Sequence, residues 1–230
     1  MPRMQETYWV EQWLSAERWE TYKSAAQEDF GLALRLYEWN TQLAGAIMHD
    51  VAHIEVALRN SYDRLLSDAW SGSDHWLLDS LSPVRTPLIR VRNGQQRDLN
   101  ARNRLSIDEA VKRTRSSDPL PGQIIAELSF GFWRHLTSAA LEKTLWVPYL
   151  HEAFPSKTDR KKIDRALALV NGVRNRAAHH EPLFTNRRLQ EITAAHQAIG
   201  LLAFMLLPEL SEHLRQTSSM NLYLQNRPSL

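Results

Sequence analysis

The 230-residue chain has no cysteine. Disulfides, thiolate metal sites and a cysteine nucleophile are therefore excluded, and a reducing compartment fits. Glycine is scarce, at 8 residues, which argues against a glycine-rich phosphate loop and against turn-dense all-β folds. Alternating β-branched runs are missing, so the strand signal is poor. The longest apolar run, Ala198 to Leu207, has 10 residues, half of the roughly 20 that a membrane-spanning helix needs. No basic-then-apolar leader opens the sequence. These absences lead us to expect a soluble, cytoplasmic protein with no membrane partner. Net charge is also small, at +2, although the sequence pI is about 9.0. Total charge thus argues only weakly for nucleic acid, and its distribution matters more.

What is present is helical pattern. Hydrophobic residues make up 43% of the chain, enough for a real core, and there are 8 tryptophans to fill it. Met1 to Trp13 shows no clear period. Ser15 suits the N-cap of a short helix through about Ala26. From Asp29 to about Ala69, Phe30, Leu34, Tyr37, Leu43, Ile47, Val51, Ile54, Leu58, Tyr62 and Leu65 recur near a period of 3.6. Such a length leaves room for a kink around Asn40 to Gly45. Ser71-Gly72-Ser73, Pro83 and Pro87 make a loop. Ser106 to Glu109 has capping-box form and should start a helix through about Arg115. Asp118 to Gly122 is a second break. Helices are expected from Gln123 to Leu128 and from Gly131 to Leu145, which Pro148 ends. A helix capped within Ser156 to Thr158 should run to about Ala178, and a last one from Asn186 to about Arg215, with Pro208 able to kink it. The polar tail from Gln216 is expected to fray. The fold class is all-α, read as one domain over 1–230, with a core at about 10–210 and a basic loop-and-helix excursion at about 83–118.

Four features carry candidate chemistry. Arg174 sits on an otherwise apolar helix face, which is costly for a cation unless it is paired or lines a cleft. Asn175 follows it, and His179 and His180 come at the helix end before Pro182. Arginine suits charge developing on a phosphoryl group, and histidine does acid–base work at neutral pH. With no evident carboxylate pair or ligand set beside them, the pattern points to metal-free phosphodiester chemistry. An ordinary helix end, with cations and histidines meeting the dipole, explains the same residues. Residues 174 and 179 also lie roughly 140° apart on an ideal helix, so convergence on one phosphate requires the helix to end or distort before His179. Second, Glu55, Arg59 and Asn60 repeat an arginine–asparagine pair in mid-helix. They read either as an i,i+4 ion pair or as a polar group facing Arg174. Third, His49 and His53 have the i,i+4 spacing of a zinc helix, but the position of its glutamate holds Asp50 and no third ligand is evident. They read better as surface or partly buried histidines. Fourth, Arg85, Arg90, Arg92, Arg97, Arg102, Arg104, Lys112, Arg113 and Arg115 face only Asp98, Asp108 and Glu109 between residues 85 and 115. Phosphate-backbone contact is the natural reading, with no aromatic platforms for base stacking.

Arg174-Asn175-Arg176-Ala177-Ala178-His179 resembles the R-x4-6-H signature of HEPN ribonucleases. Val173 to Asn175 and His179 to Leu183 resemble the Abi-like, abortive-infection branch of that superfamily. Ile54 to Asn60 and Glu127 to Trp133 are similar to it as well, and the similarity covers about residues 10–210. The resemblance implies a HEPN-type helical bundle and a metal-independent endoribonuclease that needs no cofactor, acting as a toxin in phage defence. Arg174 and His179 would be catalytic. Asn175, His180, Glu55, Arg59 and Asn60 would support them, and His180 is a second candidate for the catalytic histidine. Since Arg59 has no histidine four to six residues on, only one motif is present, which implies a homodimer or a partner completing the site. A neutralising antitoxin is a further implied partner. An inactive RNA- or protein-binding module and a metal hydrolase built on His49 and His53 are the alternatives.

Overall fold

The computed structural model describes residues 3–230, with the side chains of residues 3–7 and of Arg92 left aside. Among the described residues, nine α-helices and one two-stranded sheet accompany a single long helix, α3 (Phe30–Ala69). Asp29 starts α3 by accepting the Leu32 amide at 2.8 Å, which satisfies one of the donors a helix start leaves free. Leu36, Leu43, Ile47, Ile54, Leu58 and Tyr62 line its fully buried stripe. Against this stripe pack α7 (Arg160–Ala178), through Ile163, Leu167 and Val170, and α8 (Asn186–Leu206), through Ile192, Ile199 and Leu202. Apolar area removed from water, at roughly 25 cal/mol per Å², holds these three helices together. The all-α expectation stands. Among the described residues no helix is long and apolar enough to cross a membrane.

Several boundaries differ from the sequence reading. The patternless start is a helix, α1 (Arg3–Leu14), anchored by Val10 and Leu14, which are buried one turn apart. Trp13 meets Tyr37 edge-on at 5.1 Å. Burial against α3, not an internal period, makes that segment helical. Next comes α2 (Ala16–Ala25), capped by Ser15 as expected. The helix expected to run to Leu145 stops early: α5 (Pro121–Glu127) is followed by α6 (Phe130–Leu136), then by short 3₁₀ and π turns through Ala153. Buried Arg160 takes the carbonyl of Thr137 at 2.9 Å. That carbonyl is then lost to the helical ladder, and the amide of Leu141 bonds Ser138 instead, at 3.0 Å. Pro208 breaks the last helix outright, because the residue before a proline disfavours α geometry. Leu207 is extended, and α9 (Pro208–Thr217) follows. The tail does not fray: α10 (Met220–Gln225) packs on α3 with Met220 fully buried.

The excursion also holds more order than expected. Strands β1 (Ile89–Arg92) and β2 (Gln95–Asp98) pair antiparallel. Asn93 and Gly94 both have positive φ, 52° and 74°, as a two-residue hairpin turn requires. Helix α4 (Ala101–Thr114) then begins five residues before Ser106. Its start is fixed by Asn100, whose side chain donates to the Pro83 and Thr86 carbonyls at 2.9 and 2.7 Å. Ser106 therefore lies inside the helix.

Candidate functional site

The three sequence segments that carried the resemblance meet in space. Glu55 and Arg59 project from α3, Phe130 opens α6, and Arg174 comes from the last turns of α7. Burial pushes the Glu55 carboxyl above its ordinary range, while Arg174, Arg59 and the Phe130 amide, in that order, pull it down. Glu55 nevertheless closes no ion pair with either arginine among the described residues. The Nε atoms of Arg59 and Arg174 are both buried without a protein partner. The one hydrogen bond of the Arg174 side chain is long, 3.4 Å from Nη1 to Asn175 Oδ1. Two guanidinium groups beside a half-buried carboxylate, with donors to spare, suit a bound oxyanion. Asn171, one turn before Asn175, faces the start of α6: a Cβ on Gly131 would stand 3.9 Å from its Oδ1. Asn60 is exposed.

The end of α7 is closed by a Schellman motif. The amide of His180 donates to Ala177 O at 3.1 Å and that of Glu181 to Arg176 O at 3.0 Å, which uses two of the carbonyls a helix end leaves free. His180 takes the left-handed position, with φ 54°, where glycine is the usual residue. Replacing His180 by glycine should remove that strain and stabilise the protein by about 1 kcal/mol. The gain should raise Tm by roughly 2–4 °C, which thermal unfolding reads directly; an unchanged or lowered Tm would contradict it.

His179 does not leave the helical path in the way convergence with Arg174 would need. Its φ and ψ are −91° and 8°, and its amide still bonds Asn175 O at 2.9 Å. The reversal falls one residue later, at His180. Both histidines are exposed, and among the described residues no hydrogen bond joins Arg174 to His179.

The residue that positions this corner was missed in the sequence. Asn40, 3% exposed, accepts the Leu183 amide at 2.6 Å and donates to Glu181 O at 3.3 Å. A polar residue inside the apolar stripe of α3 was the available signal. Arg18 of α2 adds a bond to His180 O at 3.2 Å, and Arg227 one to Phe184 O at 2.9 Å. Arg176 points elsewhere, into a network with Glu181, Glu191 and Arg188.

The nine basic residues of the excursion divide. Arg85 is tied to Asp108 at 2.8 Å, Arg104 to Asp98, and Arg113 to Glu127 at 3.3 Å. These three hold the excursion together. Arg90, Arg97, Arg102, Lys112 and Arg115 are exposed, and the Arg92 side chain lies outside the described ones. His49 and His53 meet edge-on at 4.9 Å, and His53 meets His213 of α9 edge-on at 5.2 Å. Burial, then His49 and His213, lower the His53 pKa, opposed by Asp50. Among the described residues no three His, Cys, Asp or Glu side chains converge as metal ligands.

The fold and this corner define an all-α protein whose longest helix supplies a carboxylate and an arginine to the arginine-bearing end of a second helix. A model of the Abi-like protein family matches residues 3–185, more than half of the chain, and the protein belongs to that family. Membership points to abortive infection, a form of phage defence. The matched span takes in α1 to α7 and the whole Arg174 corner. No curated protein and no solved structure matches the chain.

Proposed function

We propose that this Abi-like protein is a HEPN-type, metal-independent endoribonuclease that acts as a toxin in phage defence. The observation that carries the reading is the Arg174 guanidinium, held beside Glu55 and Arg59 with its Nε unpartnered, near an exposed histidine at the end of the same helix. Arg174 stabilises the charge on the phosphorane. His179 moves a proton as the 2′-hydroxyl oxygen attacks the adjacent phosphorus. The bond from phosphorus to the 5′-oxygen breaks, and the leaving oxygen takes a proton. A 2′,3′-cyclic phosphate and a 5′-hydroxyl result. Positioned acid–base groups of this kind contribute about 10²- to 10⁴-fold.

His179 stands roughly 140° around the helix from Arg174. One chain therefore aims the two groups apart, which favours a composite site between two copies that share one RNA strand. A neutralising antitoxin would hold such a toxin in check.

Purified protein should cut RNA in excess EDTA and leave 2′,3′-cyclic phosphate ends. His179→Ala should abolish cutting, while His180→Gly should retain it within a few-fold. Cleavage that stops in EDTA, or ends bearing a 3′-hydroxyl, would sink the mechanism. Tight RNA binding without products would mark an inactive binding module instead.

A further inference from the structure

Two exposed cations of the excursion, Arg97 and Arg102, come near the end of α6, outside the corner. In Phe130-Gly131-Phe132-Trp133-Arg134-His135, the three aromatic residues are buried. Arg134 and His135 remain partly exposed at the end of α6. Arg134 reaches Asp164 only at 3.7 Å, and its Nε is buried without a protein partner. His135 Nε2 is likewise buried and unpartnered. Asp164 is already shared with Arg160 at 3.3 Å, and Glu142 is engaged by that same arginine at 3.3 Å. Both nearby acids are therefore shared with Arg160, although Asp164 Oδ1 makes no hydrogen bond of its own.

The hairpin brings further positive charge. Arg90 and Arg97 sit directly opposite each other in the β1–β2 register. Like charges in that relation are destabilising unless something between or beside them compensates. Among the described residues neither one pairs with a carboxylate, nor does Arg102 of α4. Arg90 also lines a cavity of about 340 Å³ with Lys143, between the hairpin base and the turn at Ala139–Thr144. Around His135 stand Arg97 from the hairpin, Arg102 from α4, Arg134 from α6 itself and, as the one opposing charge, Asp164 from α7. Burial first, then Arg102, Arg134 and Arg97, hold its pKa below the ordinary histidine value. These surroundings favour the neutral imidazole in the free protein, and its Nε2 meets no protein group.

We propose that His135, Arg134, Arg97 and Arg102 form a second phosphate-binding station, which holds the backbone of the RNA strand whose scissile phosphate lies at Arg174. The station rests on the reading of RNA as the substrate. Arginine forks match phosphate oxygens, and a histidine beside the same anion adds a donor once it is protonated. The placement fits one strand: Phe130, at the start of α6, faces Glu55 beside Arg174, and Arg134 is one helical turn further on. Binding a phosphate reverses the field at His135 and favours the imidazolium, so the complex takes up a proton. RNA affinity must then rise as pH falls from 8 to 6.

The test uses the full chain and a 2′-O-methyl RNA oligonucleotide, which lacks the attacking hydroxyl. Fluorescence anisotropy is read at pH 6 and pH 8 across a salt series. Wild type should bind several-fold more tightly at pH 6, and His135→Gln should shrink that difference, the histidines at the end of α7 being unchanged in the variant. Combined Arg97→Ala and Arg102→Ala should lower the slope of log affinity against log salt by about one to two. No binding by wild type, an unchanged slope in the double variant, or a full pH difference in His135→Gln would overturn the station. If these signatures hold but unmodified RNA is never cut, the ribonuclease reading fails and the station stands. If RNA is cut and both variants bind like wild type, only the station fails.

Discussion

Arg174→Ala is expected to lower the rate of RNA cleavage by about a thousandfold, at the low end of what an arginine contributes to phosphoryl-group chemistry. Arg174 draws down the Glu55 pKa more than Arg59 does, so it is the stronger of the two cations facing that carboxylate. Removing it leaves Glu55 half-buried with only Arg59 and the Phe130 amide to support its charge. The carboxyl should then shift further toward its protonated form, and the corner should lose attraction for a phosphate in the ground state as well. Arg174→Lys keeps the charge but not the planar fork, so it should recover little activity. The measurement is the initial rate on a labelled RNA in EDTA, with far-UV circular dichroism to verify the fold. An Arg174→Ala rate within tenfold of wild type would remove Arg174 from the mechanism.

Asn40→Ala should be the most destabilising single change at the corner. It leaves the buried Leu183 amide and Glu181 carbonyl without partners. Each orphaned buried group costs about 1–3 kcal/mol, and a chain of this size loses roughly 2–4 °C of Tm per kcal/mol. With two such groups, a fall in Tm of at least roughly 4 °C is therefore expected. Limited proteolysis should then cut within Glu181–Asn186, a segment that Asn40 holds down in the native protein. Asn40→Asp cannot rescue it, because the carboxylate accepts from Leu183 but cannot donate to Glu181, and it buries a charge. A Tm within 1–2 °C of wild type, which corresponds to less than about 1 kcal/mol, would show that Asn40 is not the anchor.

How far the sequence was legible depended on what held each element. Asp29 and Ser15 cap their helices with their own side chains, and the long apolar repeat of α3 belongs to one helix, so those elements could be read locally. The start of α1 could not, since among its described side chains Val10 and Leu14 alone are buried, and that burial exists only in the folded protein. The stop at Thr137 was invisible because Arg160, 23 residues away, takes the carbonyl. The hairpin is legible in principle through Asn93-Gly94, although the flanking strands are rich in arginine and lack a long β-branched run. At the corner, Arg174 and Glu55 could be paired by their motifs. Asn40 could not, because its partners lie 141 and 143 residues downstream. The nine basic residues look alike in the sequence for a similar reason: Asp108, Asp98 and Glu127 pair with three of them only once the chain is folded.

The ends of the described chain meet at the corner. Arg18 from α2 takes the carbonyl of His180, and Arg227 takes that of Phe184. Ser218 bonds buried Asp50 at 2.6 Å, and Tyr223 O accepts from the Trp39 ring nitrogen at 2.8 Å. Through these two contacts residues 218–227 are drawn back onto α3. The histidine-bearing turn is therefore fully braced only after residues 218–227 have left the ribosome and docked. A chain still in synthesis carries Arg174 and both histidines but lacks this brace. The protein's order of manufacture thus delays completion of the corner until residues 218–227 have been made and docked.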